Sequence, residues 1–172
     1  QGQLIDASIV PVPVQRNTRE ENARIKQGEV PEGWEKQSHK LQQKDTDARW
    51  VKMQGHNHYG YKNHVNADRK HKLIRTYDVT DASVHGSQLF DRLLDSNNTG
   101  KQVWADSAYR SAEIDQTLKH RGLKNEIKYK GYRHAPLSKA KHRVNRKRSG
   151  IRAPVEHIFA FQKNSLGGKF IR

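Results

Sequence analysis

The first ten positions form a tight apolar run of the kind found in buried strands. Residues 3–10 have the sequence QLIDASIV, in which one acid, Asp6, interrupts the apolar residues. Pro11 and Pro13 follow, and proline cannot donate to the ladder of a sheet. The pattern therefore predicts a first strand over residues 3–10 with a carboxylate inside it.

The next segment, residues 15–50, is highly charged and poor in β-branched residues, and residues 18–27 predict one short helix within it. Long irregular segments inside a compact domain are uncommon and are usually functional or disordered. We therefore interpret residues 15–55, approximately, as a long charged insertion after the first strand. Its tryptophans, Trp34 and Trp50, are expected to anchor the insertion to the core, with stacking on nucleic-acid bases as the alternative.

Alternating apolar and polar positions predict a hairpin in the middle of the chain. Residues 59–67 and residues 72–80 both alternate as strands do. A turn at residues 68–70 joins them, which indicates an antiparallel pair.

Helical and strand patterns alternate in the rest of the chain. Helices are predicted at residues 87–94, at residues 111–121 and from Pro154 onward. Ser111 and Gly122 are the expected caps of the second of these helices. Short strands are predicted at residues 102–105 and 123–130. This order indicates an α/β fold with a mixed sheet, antiparallel in its first half and parallel in its second.

The net charge of the chain predicts the class of its binding partner. The 172 residues, enough for one domain, include 33 Lys and Arg against 18 Asp and Glu, for a formal net charge of +15. Such a surplus favours a polyanionic partner, nucleic acid first and an anionic membrane surface second. The absence of Cys excludes disulfides, thiol catalysis and Cys-based zinc sites, and it fits the cytosol. No apolar run approaches the roughly 20 residues that cross a bilayer.

Three acids lie in apolar surroundings. Asp6 is inside the first strand, Asp106 follows the VWA strand, and Glu156 lies in the first turn of the last helix. A buried carboxylate is costly unless it is paired, hydrogen-bonded or bound to a metal. Together the three acids would form an oxygen-ligand pocket suited to Mg²⁺ or Mn²⁺. Each acid alone is also compatible with a turn, a cap or a helix-dipole role.

Several sequence blocks occur together and in order. LIDASIV surrounds Asp6, VWADSAYRS surrounds Asp106, and Arg152, Glu156 and Lys163 have an R-(3)-E-(6)-K spacing. The segments HYGYKNHVNAD and VTDASVHGSQ lie between them. In these blocks the chain resembles the catalytic domain of bacterial insertion-sequence transposases of the DDE type, most closely the group numbered five.

The resemblance implies an RNase H-like fold, a mixed five-stranded sheet flanked by helices, as a single domain over residues 1–172. It implies that Asp6, Asp106 and Glu156 are catalytic and hold two divalent ions, Mg²⁺ or Mn²⁺, with Asp6 bridging them. The implied reaction is hydrolysis and then transesterification of DNA, which is strand cleavage and strand transfer during transposition. The implied partner is double-stranded DNA at element ends and target, bound by a homo-oligomer in the bacterial cytoplasm at the nucleoid.

Basic residues around the third acid are expected to contact this DNA. The resemblance assigns Arg152 and Lys163 to phosphates that flank the cut. The basic run at residues 139–148 predicts salt-dependent contacts to the DNA backbone. The residues of this run expected to make them are Arg143, Arg146, Lys147 and Arg148. A solvated basic face and, for the run, a disordered linker are the alternatives.

Three further residues of the matched blocks, His85, His157 and Tyr109, are expected to support the acids or to touch a phosphate. Two positions depart from the family pattern, which has Tyr where Ser149 stands and often Asp where Gly86 stands. We expect these changes to alter fine DNA contacts and to leave the acids intact. The family's usual N-terminal DNA-binding region and final C-terminal helix are expected to lie outside this chain.

Two rival functions stay open on the sequence. One is a catalytically silent DNA-binding remnant of a transposase, and the other is a metal-dependent nuclease of the same fold that never joins strands. Metal-dependent cleavage separates the transposase from the remnant. Strand transfer of a supplied 3′-hydroxyl end separates it from the nuclease.

Overall fold

A mixed six-stranded sheet organises the structure, a computed structural model that describes residues 1–53 and 55–167. The strands are β1 (Gln3–Pro11), β2 (Arg49–Met53), β3 (His56–Asp68), β4 (Ile74–Asp81), β5 (Gln102–Trp104) and β6 (Lys124–Asn125). β3 pairs antiparallel with β1, β2 and β4, whereas β1–β5 and β5–β6 are parallel. The predicted hairpin is thus confirmed as β3 and β4, and the arrangement is compatible with an RNase H-like fold.

Six α-helices flank this sheet within the described residues. They are α1 (Arg19–Lys26), α2 (Ser38–Gln42), α3 (Phe90–Leu93), α4 (Ala112–His120), α5 (Lys139–Arg152) and α6 (Pro154–Asn164). Ser111 caps α4 as predicted, since its side chain accepts from the backbone N–H of Ile114. The helix predicted at residues 87–94 is a 3₁₀ turn at Gly86–Leu89 followed by α3. In the part of the chain that the structure describes, no helix has the length and apolar character to cross a membrane.

Different helices cover the two faces of the sheet. On one side, which we call the closed face, Ile5 and Val103 of the sheet pack with Phe90 and Leu118 of α3 and α4. On the other side, which we call the acid face, Leu4, Val65 and Trp104 pack with Val155 and Phe159 of α6. Because side chains alternate along a strand, Asp6 shares the acid face with Leu4. Across the same ladder Ala7 pairs with His64, which places His64 on the closed face with Ile5.

The charged insertion is more ordered than the sequence indicates. Thr18 and Glu21 form a capping box at the start of α1, and the indole of Trp34 donates to Glu21 over 2.8 Å. Trp34 is 1% exposed and packs within the insertion, whereas Trp50 is half-exposed against Tyr59, so anchoring to the core stays a prediction. The insertion ends in β2, so the sheet has six strands and not the five expected.

One other prediction needs correction. The strand predicted at residues 123–130 is regular only over β6, because its partner strand β5 ends at Trp104. The basic run at residues 139–148 is the greater part of α5 and not a disordered linker. Ser138 begins this helix by accepting from the backbone N–H of Lys141.

Candidate active site and cationic cleft

Asp6, inside β1, and Asp106, just beyond the end of β5, lie on neighbouring strands. Leu4 of β1 pairs with Trp104 of β5 in a parallel register, so the residues two positions later lie side by side on the acid face. Glu156 arrives from the first turn of α6, which packs on the same face. Both other acids are close enough to Asp6 to raise the pKa of its carboxyl. The structure therefore brings the three predicted acids to one place.

Arg152, the last residue of α5, links two of these acids. Its Nη1 donates to Asp6 Oδ2, and its Nη2 donates to Glu156 Oε1 over 2.9 Å. The Arg152 and Asp6 side chains are only 14% and 16% exposed, so this ion pair is largely dry. Nε of Arg152 is buried and has no hydrogen-bond partner among the described residues. The guanidinium is thus a cation between carboxylates from β1 and α6.

Asp6 is the acid most in need of a positive neighbour. Burial raises the pKa of its carboxyl above the ordinary value, although the charge of Arg152 and the backbone N–H of Ala7 favour the ionised form. The negative charges of Asp106 and Glu156 raise this pKa further. A carboxylate in these surroundings is ionised at low cost only while a cation stays beside it.

Asp106 has a cation of its own. Nζ of Lys128 lies 3.0 Å from Asp106 Oδ1. Burial acts to raise the pKa of Asp106, but the neighbouring Lys128 ammonium and the Ser107 backbone N–H outweigh it, so this pKa lies below the ordinary value. Lys128 belongs to the segment after β6, whose backbone N–H still bonds to Ala105 beside β5. No motif in the sequence distinguishes this lysine from the other cations.

Tyr109 belongs to the hydrophobic cluster of the closed face and packs against Phe90. It is 4% exposed, and its hydroxyl finds no hydrogen-bond partner within residues 1–53 and 55–167. Burial and then the charge of Asp6 raise the pKa of the phenol, which places the ring within electrostatic reach of the site. A Cβ on Gly86 would lie 2.5 Å from the tyrosine hydroxyl. The close approach of this ring explains why a glycine stands at position 86.

A cationic cleft of about 810 Å³ begins beside Asp106. Ser107 lies at one end of it, and the segment after β6 and one side of α5 form its walls. The cationic residues that line it are Lys128, Lys139, Arg143 and Arg146. The basic run predicted to contact DNA therefore forms a helical wall that leads toward the acids.

Two side chains fasten α5 to the segment after β6. Asn145 makes a paired contact with the backbone of Tyr129, accepting from its N–H over 2.8 Å and donating to its carbonyl over 3.0 Å. Arg148 pairs with Glu126 at 2.8 Å and donates to the Ile127 carbonyl. Arg148 therefore holds the helix in place, and its predicted DNA contact stays a prediction.

The other predicted residues take separate places. His85 is exposed and accepts from the Ser87 backbone N–H, which starts the 3₁₀ turn. His157 is exposed directly after Glu156. Lys163 lies two turns farther along α6, where it lines an apolar groove of about 700 Å³ beside Ser8. Their predicted roles at the reaction centre stay predictions.

The donor set of the site fits a divalent cation. Carboxylate oxygens are the ligands that hard cations prefer, and the Arg152 guanidinium stands in for a positive charge between Asp6 and Glu156. Across residues 1–53 and 55–167, however, no group of three or more His, Asp or Glu side chains is placed to hold a metal ion. Arg152 and Lys128 supply the positive charge in this arrangement.

Comparisons with known proteins point to one family. Residues 1–170 match the family described as "Transposase DDE domain". A similar curated protein is the transposase for insertion sequence element IS1106 from Neisseria meningitidis serogroup B, 36% identical over 116 residues. That alignment covers 67% of this chain and 40% of the relative, so the chain spans less than half the length of that protein. No solved structure matches the chain.

Proposed function

Because the chain belongs to the transposase DDE domain family, we propose that it is the catalytic domain of a group-five insertion-sequence transposase. In this proposal it cleaves DNA strands at element ends and transfers the freed ends to a target. The observation that carries the proposal is that Asp6, Asp106 and Glu156 lie close together on the acid face of the sheet. The match to an insertion-sequence transposase supports it.

Divalent cations are part of the proposal. We expect Asp6, Asp106 and Glu156 to hold two of them, Mg²⁺ or Mn²⁺, with Asp6 shared. Bound there, such ions activate a water or a 3′-hydroxyl and stabilise the leaving oxygen of the phosphodiester. Asp6 needs a cation because it is buried and has acidic neighbours, which supports this assignment.

The protein's own part is to bind and orient the DNA. Arg143 and Arg146 line the cleft, and Lys147 is exposed on the same helix, so each can hold a backbone phosphate. The cleft begins beside Asp106, so a strand held along α5 would present its next phosphate to the acids. The net charge of +15 adds attraction for DNA that salt screens. We expect a homo-oligomer to form on the DNA.

Nicking of supercoiled DNA in Mn²⁺ tests the catalytic step. We expect Asp6→Asn, Asp106→Asn and Glu156→Gln each to lower the nicking rate at least about 100-fold, as for loss of a group that stabilises transition-state charge. Glu113→Gln is the matched control, because Glu113 is an exposed acid on α4. Salt-dependent DNA binding with no nicking would instead support the alternative, a catalytically silent DNA-binding remnant of a transposase.

Strand transfer tests the joining step. A labelled duplex with a free 3′-hydroxyl at an element end is incubated with a plasmid, and joined products are counted. The transposase proposal predicts labelled plasmid that depends on Asp6. Nicking without any joined product would instead support the other alternative, a metal-dependent nuclease of the same fold.

A further inference from the structure

We propose that Arg152 and Lys128 are exchangeable counter-ions, which hold the acids in the free protein and move to DNA phosphates when divalent cations bind. The inference rests on the proposed function and adds a coupling to it, in which the metal and DNA each favour the binding of the other. It gives Lys128 a role in DNA binding and gives Arg152 two alternative partners.

The side-chain hydrogen bonds of Arg152 go to the acids of the site. Two of its nitrogens bond to Asp6 and Glu156, while its buried Nε has no partner among the described residues. Arg148, by contrast, has a partner for each of its three guanidinium nitrogens in Glu126 and the Ile127 carbonyl. An incompletely bonded guanidinium is easier to move than a fully bonded one.

Lys128 stands at the border of two environments. Its ammonium is 3.0 Å from Asp106, and the same side chain lines the cationic cleft. The flexible stem of a lysine lets the ammonium swing between neighbouring anions. A phosphate in this cleft would therefore offer Lys128 a second anion without movement of the backbone.

Charge explains why the exchange must accompany metal binding. Three carboxylates face two cationic side chains, so the free site carries about one net negative charge. A divalent cation that enters beside the largely buried Asp6–Arg152 pair would be repelled by the charges of Arg152 and Lys128. The repulsion falls when those charges move to phosphates, and DNA supplies the phosphates beside the acids.

Mn²⁺ binding to the DNA-free chain tests the first half of the inference. Free Mn²⁺ is measured by electron paramagnetic resonance during titration of the wild type, Arg152→Gln and Lys128→Gln. Removal of a competing cation is expected to tighten Mn²⁺ binding about 5-fold or more in each variant, within the usual range of coupling between sites. Lys128→Gln keeps the test decisive if Arg152→Gln folds poorly, because Lys128 is outside the Asp6–Arg152 pair.

Matched controls separate local competition from overall charge. Arg19→Gln and Lys119→Gln remove the same charges from exposed positions on α1 and α4. They are expected to leave Mn²⁺ affinity within about 2-fold of the wild type, because surface charges beyond a Debye length are screened. Arg152→Gln and Lys128→Gln variants that match these controls, or bind more weakly than the wild type, would overturn the inference.

Coupling to DNA tests the second half. Fluorescence anisotropy gives the affinity for a labelled 30-base-pair duplex in Mn²⁺ and in EDTA at equal ionic strength. Mn²⁺ is expected to tighten DNA binding by about 5-fold in the wild type and not in the Arg152→Gln, Lys128→Gln double variant. Equal tightening in both proteins would overturn the inference.

The two possible failures have different signatures. If Asp6→Asn, Asp106→Asn and Glu156→Gln leave Mn²⁺ binding unchanged, the acids are not the metal site, and the proposed function and this inference both fail. If those three changes abolish Mn²⁺ binding while Arg152→Gln and Lys128→Gln bind as the wild type does, only this inference fails.

Discussion

The buried side chains of Gln3, Asn66 and His64 on the closed face are neutral, whereas Asp6 on the acid face is charged and is held by a long cationic side chain. On the closed face, Asn66 donates to Gln3 over 2.6 Å, and Gln3 also accepts from the backbone of Asp95. On the acid face, Asp6 is held by the guanidinium of Arg152. The first arrangement is a neutral hydrogen-bond pair, while the second is an ion pair of the kind that we propose another cation can replace.

The two faces of the sheet are expected to contribute differently to stability and to function. The apolar cluster under α3 and α4 is the larger of the two, and it carries much of the stability. The acid face has a smaller core, and its acids lie inside β1, just beyond β5 and in the first turn of α6. Changes on the closed face should therefore act on folding, and changes on the acid face should act on binding and chemistry.

The largest expected effect is loss of core packing on the closed face. Phe90 is 1% exposed, so Phe90→Ala leaves a cavity and is expected to lower the free energy of unfolding by about 3–5 kcal/mol. Urea unfolding measures this change. Phe161→Ala is the control, because Phe161 is 58% exposed and its loss should change stability by no more than about 0.5 kcal/mol. Equal losses in the two variants would contradict the account of the faces.

Acid should destabilise the closed face through His64. Burial lowers the pKa of this histidine to about 4 in the folded state, against an ordinary value of 6.5. Below pH 6.5 the unfolded chain binds a proton that the folded chain refuses, so stability falls as the pH drops toward 4. The loss is expected to reach about 3 kcal/mol. Unfolding free energies of the wild type and His64→Gln across this range check it, and identical slopes would contradict it.

Substitutions of two neighbouring cations on α5 should have different effects, one on stability and the other on DNA binding. Arg148 is half-buried in its pair with Glu126, so Arg148→Gln is expected to lower the free energy of unfolding by about 1–3 kcal/mol. Lys147 is exposed, so Lys147→Gln should leave stability unchanged. It should instead reduce the slope of log DNA affinity against log salt by about 1. A reversed pattern would show that Arg148 is the DNA contact.

The smallest expected effect concerns Asp106 and Lys128. Removal of the ammonium by Lys128→Gln should raise the pKa of Asp106 toward its ordinary value. A lowered pKa stabilises the fold above the ordinary value and loses that effect as the pH falls, so the variant should be slightly less stable at neutral pH. The loss should stay below about 1 kcal/mol, because the pair is partly exposed. Nuclear magnetic resonance titration of Asp106 checks the shift, and an unmoved pKa would exclude the contact.

Local signals predicted much of this fold. The apolar run of β1, the alternation of β3 and β4, and the serine cap of α4 act through residues near each other in the chain. The strand at β2 was missed, because its RWVKM sequence is charged and its partner β3 follows only after the turn. Pairing with an existing strand, and not the pattern of β2 itself, makes it a strand.

Some residues of the candidate site could not be predicted, because contacts between distant parts of the folded chain bring them together. Lys128 is one of 33 cations in the sequence, and no local pattern distinguishes it. It meets Asp106 because the chain after β6 keeps bonding beside β5, so that the backbone of Lys128 reaches Ala105. Gly86 is similar, since its need for space comes from Tyr109 in another block. The acids were easier to identify as candidates, because a single acid within or beside an apolar segment can be recognised from the sequence alone.

The central claim is that Asp6, Asp106 and Glu156 form a divalent cation site, and a crystal grown with Mn²⁺ and a short duplex tests it most directly. Anomalous diffraction at the manganese edge locates the ion without reference to activity. The account predicts an anomalous peak within bonding distance of Asp6 and Asp106, with Arg152 displaced from Asp6. A complex in which DNA lies along α5, no peak occurs at these acids, and Arg152 still bridges Asp6 and Glu156 would contradict it.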